Sequence, residues 1–333
     1  MPKADAVFEG GGVKGVGLVG AVVEAEARGY EWVNLAGTSA GAILAALLAA
    51  GYSGDQIWRI LRDLDYRHFC DRDWLDRIPL LGPAASLLFE CGLYEGRYLE
   101  TWLTELLAAR GVCCFGDLRL PEYEADPRYR YRLRVIASDL THGRLLVLPQ
   151  DAVRLGLDPD RLRVARAVRM SMSIPFFFEP VVLRGRDGER IVIVDGGVLS
   201  NFPVWLFDCD GVPPWPTFGF KIVEPGEGRP RRIRGPVTML AALVATMLEA
   251  HDARYIEDAD FVRTIAVPSL GVATTDFDLT RQRAQELFEA GRTAAREFFD
   301  GWDFASYIEQ YRSAGTAGSA GRRGGRRRRL RGA

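Results

Sequence analysis

The sequence predicts an α/β protein in which a mostly parallel sheet carries helices on both faces. Three observations point there. Short apolar runs alternate with amphipathic helical stretches, beginning with Ala4–Phe8 and Trp32–Ala36. Those two runs break into glycine-bracketed turns of the kind that join a strand to a helix, Gly10-Gly11-Gly12-Val13-Lys14-Gly15 and Gly37-Thr38-Ser39-Ala40-Gly41. A chain of 333 residues, 48% hydrophobic, is long and apolar enough to bury a full core.

The elements follow in order. After strand Ala4–Phe8, a helix is expected over Val13–Arg28, ended near Gly29, then strand Trp32–Ala36. Ala40–Ala50 is rich in alanine and leucine and stops at Gly51, and Ser53 and Asp55 open a helix over Gln56–Leu64. Residues 68–93 are irregular and proline-punctuated. Gly96–Ala109 returns to helix, with Leu99, Trp102, Leu103, Leu106 and Leu107 on one face. Arg132–Ser138 and Leu145–Leu148 read as strands about a turn at His142-Gly143, Leu162–Met170 as a short helix, and Arg190–Val194 as a buried strand ending in Asp195-Gly196-Gly197. Strands are expected at Thr217–Ile222 and Arg263–Val267, and helices at Val237–Ile256 and Arg281–Phe299.

Composition narrows the function classes. Residues 313–333 hold seven arginines and no acid, which leaves 36 basic and 44 acidic side chains, net −8, in the first 312. Glycine, serine and arginine dominate that tail, so disorder is expected there and the folded domain spans 1–312. The tail's default role is solvation, with binding of anionic headgroups left open; a nucleic-acid partner is not expected. Five cysteines without C-x-x-C spacing argue against a disulfide framework or a zinc site. No signal-peptide pattern and no apolar run of the roughly 18 residues a membrane span needs are present, which predicts a cytoplasmic protein.

The chemistry concentrates in three short segments. G-x-S-x-G lifts a serine hydroxyl clear of the sheet, which nominates Ser39 as a nucleophile; the plain alternative is a Thr38 or Ser39 helix cap. The glycine loop at 10–15 offers backbone N–H groups to a developing oxyanion, from Gly11 and Gly12 and also Gly10, with Lys14 adding positive potential. Its Gly10-x-Gly12-x-x-Gly15 spacing also fits a dinucleotide fingerprint, but the second strand runs into Gly37-Thr38-Ser39 rather than ending in an acid. Of the bases, His68 lies in a loop, His142 in a turn and His251 within a charged helix, and a Ser39–Asp195–His251 triad would put its histidine in the wrong setting. Asp195 follows an apolar strand and precedes two glycines, so its carboxylate is expected at the sheet's C-terminal edge, beside the serine; a turn-forming Asp is the plain alternative.

Taken in this order, the three segments resemble the patatin-like phospholipase family: Gly11-Gly12-Val13-Lys14-Gly15, then Gly37–Gly41, then Asp195-Gly196-Gly197. Ala137-Ser138-Asp139-Leu140, Ser171-Met172-Ser173-Ile174-Pro175, Phe178-Glu179-Pro180 and the run Gly197–Pro203 add to the likeness, which covers roughly residues 4–223; Glu9 departs from the family's usual Asp or small residue. The resemblance implies a three-layer α/β/α fold and a Ser39–Asp195 dyad without a catalytic histidine. It further implies an oxyanion hole at Gly10, Gly11 and Gly12, supported by Lys14, Gly15, Gly37, Gly41, Gly196 and Gly197. The sequence offers no metal-ligand cluster, so no metal or cofactor and calcium-independent activity are expected. A carboxylate near pKa 3.9 is a weak base for serine, so Asp195 should be buried and its pKa raised, yet still ionised at neutral pH.

A lipid acyl hydrolase of phospholipase A or lysophospholipase type is the expected function. A general carboxylesterase or acylglycerol lipase on the same dyad, and a non-catalytic binding protein of the same fold, are the alternatives. The apolar segment Ile78–Phe89 reads equally as a peripheral membrane-contacting lid and as a buried connection.

Overall fold

The computed structural model describes residues 1–69, 94–185, 188–224, 258–274 and 276–312, with positions 233, 239, 242, 246 and 247. The expectations for Ile78–Phe89, for most of Val237–Ile256 with His251, and for the tail at 313–333 lie outside the described residues.

Among the described residues, eight strands form one sheet: β1 (Lys3–Phe8), β2 (Glu31–Thr38), β3 (Leu133–Asp139), β4 (Arg144–Leu148), β5 (Val181–Arg184), β6 (Arg190–Asp195), β7 (Thr217–Val223) and β8 (Thr264–Pro268). The order is β5-β6-β3-β2-β1-β7-β8, with β4 paired to β3. The centre is parallel: β1 lies between β2 and β7, β2 pairs with β3 and β7 with β8, all in the same direction. The β5-β6-β3 edge and the β3-β4 hairpin are antiparallel.

Period-two alternation sorts the central strands onto two faces. Ala4, Ala6 and Phe8 of β1, Leu35 of β2 and Val135 and Ala137 of β3 face the large core, whereas Val7, Ala36 and Ile136 face a second cluster closed by Leu206 and Phe207. Both faces are apolar, as a central parallel sheet requires.

The large core is roofed by α1 (Val16–Ala27), α2 (Ala40–Ala49), α3 (Gly54–Asp63), α4 (Arg97–Ala108) and α5 (Val164–Ser171). A short α6 (Asp258–Val262) precedes β8, and α7 (Arg281–Asp300) and α8 (Phe304–Tyr311) close the described chain. Local chemistry explains the starts. Ser53 and Gln56 form a reciprocal capping box on α3, Thr280 accepts the Arg283 N–H at the start of α7, and Asp303 accepts that of Ser306 before α8. Backbone meets backbone where α7 crosses α1: a Cβ on Gly20 would fall 1.9 Å from the Phe288 carbonyl oxygen, and one on Gly291 1.8 Å from that of Gly17.

Three elements differ from the sequence expectation. The first helix begins as a 3-10 turn over Gly12–Gly15, because the glycine loop must bend before α1 can start. Edge strand β5 and helix α8 were not anticipated; both are short.

Candidate active site

β1 and β2 are adjacent and parallel, so the loops that follow them meet at one edge of the sheet. Phe8 pairs with Gly37, which sets the glycine loop beside the serine turn. Ser39 stands at φ 54°, ψ −125°, a region a non-glycine residue occupies only under constraint. The constraint comes from its flanks. A Cβ on Gly37 would fall 2.3 Å from the Gly41 backbone, and one on Gly41 2.5 Å from the Phe8 carbonyl oxygen, so only glycine admits so tight a strand-to-helix turn.

Neither hydroxyl at this turn caps α2. Thr38 Oγ1 donates to the Ser200 carbonyl at 3.2 Å, and Ser39 makes no side-chain cap bond. Instead the Ser39 N–H donates to Ser171 Oγ at 2.8 Å, and Ser39 Oγ lies 3.4 Å from Met172 Sδ, a weak acceptor.

Asp195 reaches the serine by a route the sequence did not suggest. β6 runs antiparallel to β3, so its C-terminal end descends into the sheet instead of emerging at the edge where the parallel strands finish. Register brings it level all the same: Asp195 pairs with Ala137, one residue beyond the Ile136 that pairs with Thr38. The carboxyl is 1% exposed. Oδ1 accepts the Gly197 N–H at 2.8 Å, the turn-forming role, while Oδ2 has no hydrogen-bond partner among the described residues. Burial raises the pKa to about 7 against the opposing pull of the Ser39 hydroxyl and the Gly197 N–H. The Asp195 carboxylate is thus a stronger base than a solvated one.

The neighbouring segments hold this carboxyl in place. The Asp195 N–H donates to the Ser173 carbonyl at 2.8 Å. Ser173 Oγ accepts from buried Arg169 at 2.6 Å, and the same guanidinium donates to the Glu95 and Glu179 carbonyls. A Cβ on Gly196 would fall 2.3 Å from the Ile136 carbonyl oxygen, so the chain can leave β6 only through glycine.

Within the glycine loop the three N–H groups differ. That of Gly10 donates to the Asn201 carbonyl at 3.2 Å, while Asn201 Nδ2 donates back to the Gly10 carbonyl at 3.1 Å. Gly10 is therefore committed to a backbone clasp, which removes it from the expected oxyanion set. The Gly11 and Gly12 N–H groups donate to nothing among the described residues. Gly12, at φ +56°, turns the chain against Thr274, whose carbonyl oxygen a Cβ would meet at 2.0 Å. Lys14 is buried and paired with Glu224 at 2.6 Å, so part of its charge is already neutralised. Glu9 accepts from Lys221 at 2.7 Å and from the Ile222 N–H at 2.5 Å, tying the loop's base to β7. Gly15 lies under no comparable constraint: a Cβ there would sit 3.4 Å from the Ala40 Cβ, an ordinary contact.

The described histidines stand apart from this cluster. His68 is exposed and its ring packs on Tyr98, and His142 bonds to Asp139 and Glu189. Ser171, Met172 and Asn201 contact the serine and the loop directly. Their segments carried part of the family resemblance, but no spacing signal marked these three residues among them.

An apolar cavity lies next to the serine turn, lined there by Gly12, Ala40 and Met172. It passes Ile43 and Leu44 of α2 and Val16 of α1 on its way to α3, and Tyr66, Phe69, Trp102 and Phe277 add aromatic surface.

Comparison with known proteins agrees with this arrangement. The patatin-like phospholipase family model matches residues 6–208, and the chain belongs to that family. It is 42% identical over 302 residues to the uncharacterised protein YqhO of Bacillus subtilis (strain 168), covering 90% of this chain and 99% of that one. It is also 28% identical over 214 residues to the cUMP-AMP-activated phospholipase of Escherichia coli, 61% of this chain and 57% of the relative. Among solved structures, VipD from Legionella pneumophila superposes with a TM-score of 0.54 at 18% identity, over 90% of this chain and 67% of VipD, a likeness of fold.

Proposed function

We propose that the chain is a lipid acyl hydrolase that cleaves carboxylic esters through Ser39 and Asp195. One observation carries this reading. A serine on a strained turn stands beside a fully buried carboxyl whose Oδ2 has no hydrogen-bond partner among the described residues, next to an apolar cavity. The phospholipase relative and the family support a lipid ester as substrate.

In the proposed reaction, rotation about the Ser39 Cα–Cβ bond takes Oγ from Met172 Sδ toward Asp195 Oδ2. Oγ attacks the ester carbonyl carbon and its proton passes to Oδ2. The oxyanion that forms accepts from the Gly11 and Gly12 N–H groups, with the N-terminus of α2 adding its positive end. Collapse breaks the ester C–O bond, and the departing alcohol takes the proton from Asp195. Water then attacks the acyl-Ser39 ester with Asp195 as base, releasing the fatty acid and restoring the serine. No histidine takes part.

The test is fatty-acid release from mixed phospholipid vesicles, with a soluble short-chain ester in parallel. Ser39→Ala and Asp195→Asn should each lose at least ~10³-fold while keeping the fold by circular dichroism. Activity on the soluble ester alone would make the protein a general carboxylesterase. Variants as active as the wild type would overturn the dyad.

A further inference from the structure

Within the apolar cavity, depth is set by helix geometry. Ser39 immediately precedes α2, and the cavity follows one face of that helix through Ala40, Ile43, Leu44 and Leu47. This is the i, i+3, i+4, i+7 stripe, and seven residues at 1.5 Å per residue carry it about 10 Å from the serine. α1 also starts at the serine's edge of the sheet and runs alongside, contributing Val16 and then Val19 one turn deeper. α3 returns toward that edge, so its early residue Ile57 lies deep and Leu61 nearer the mouth.

The deepest residues on the three helices are also the best sealed: Leu47 and Ile57 are 0% exposed and Val19 1%. The wall behind them cannot recede. Trp58, next to Ile57, stacks on Phe288 with ring centroids 4.3 Å apart, and a Cβ on Gly54 would fall 2.8 Å from Val23 Cγ2. α3 is thus wedged against α1 and α7.

We infer that Leu47, Ile57 and Val19 form the floor of an acyl-chain gauge, which makes medium-chain acyl groups of about eight carbons the longest that fit fully. The figure follows from the depth, since a C–C bond of about 1.5 Å advances an extended chain by about 1.3 Å. Among the described residues the α2 stripe ends at Leu47, so carbons beyond the eighth gain no further contact along it. That the occupant is an acyl group rests on the hydrolase reading above; the gauge itself rests on the cavity.

Binding of saturated fatty acids from four to sixteen carbons, read by displacement of an apolar fluorescent probe, tests the gauge without turnover. Affinity should rise about fourfold per methylene up to about eight carbons and then level off. Leu47→Ala should move the plateau about two carbons longer. Because a buried Leu→Ala change can cost 2–5 kcal/mol of stability, Ile43→Phe at a half-buried position is the second variant, and it should move the plateau shorter. A wild-type affinity that keeps rising past twelve carbons, or a plateau that neither folded variant moves, overturns the gauge. Hydrolysis of a matching ester series separates the two readings. A plateau without turnover leaves the gauge standing and removes the hydrolase, and turnover without a plateau does the reverse.

Discussion

A serine hydroxyl gives up its proton only to a base that gains by taking it, and burial gives Asp195 that character. With its pKa raised to about 7, the carboxylate is a far stronger base than a solvated one near 3.9. The proposed dyad is active with the carboxylate free, so kcat/KM for a soluble ester should climb about tenfold per pH unit below an apparent pKa of about 7 and flatten above it. A pH–rate profile measured from pH 5 to 9 checks this; a rate flat down to pH 5 would mean that Asp195 is not the base. Neighbours refine the site residue by residue. Asn201 clasps Gly10 and leaves the Gly11 and Gly12 N–H groups as the donors free to meet an oxyanion.

Among the elements, the β2-to-α2 turn is held by close backbone approach on both sides. Gly41 packs its backbone on the end of β1, and Gly37 packs on Gly41. Gly41→Ala should therefore cost about 3 kcal/mol or more, since the Phe8 carbonyl it would strike is backbone in a central strand and cannot turn aside. Gly15→Ala, facing only the Ala40 methyl, should change stability by less than about 1 kcal/mol. Urea unfolding of the two variants distinguishes them, and equal losses would show that the motif glycines serve another purpose. This contrast marks the limit of motif reading. Gly15 and Gly41 look alike as letters in a pattern, but they differ in what lies across from them. The strand ends show the same limit. Asp195 was legible as a buried carboxylate at a strand end, yet the strand's antiparallel direction was not, because an apolar run such as Ile191–Val194 reads the same whichever way its neighbours point.

Across the whole molecule, two buried carboxyls set the stability profile. Asp5, at the far end of β1 from the glycine loop, also has its pKa raised to about 7, chiefly by burial. A carboxyl whose folded pKa lies above its unfolded value withdraws stability as pH rises between the two, here from about 4 to about 7, and fully above that. Asp126 and Asp117, lowered by an Arg128 hydrogen bond and by backbone N–H groups respectively, act in the opposite sense and lose their contribution as pH falls below about 4. Thermal stability should accordingly peak at acidic pH, near 4. Asp195→Asn should gain on the wild type as pH rises from 5 to 8, by about 2–3 kcal/mol. Melting curves of both proteins across that range are the check, and a gap that does not widen would contradict the raised pKa. Activity should also survive EDTA, since every step of the proposed reaction is assigned to side chains and backbone N–H groups of this chain. Loss on chelation with recovery on adding calcium would overturn that.

Sequence alone determined the fold class, the family and the three segments that meet at the site. Strand-to-helix turns with forbidding sterics leave an unmistakable glycine pattern, and apolar periodicity reports burial locally. Residues 6–208 carry the family match for the same reason: their constraints act within a few residues along the chain. Tertiary structure decided what depends on residues far apart in sequence. It paired Asp195 with Ala137, engaged Gly10 with Asn201, joined Lys14 to Glu224 and lined the cavity with residues from separate helices. Each of these is a contact across many intervening residues, and its existence follows from register and packing density that no single segment encodes.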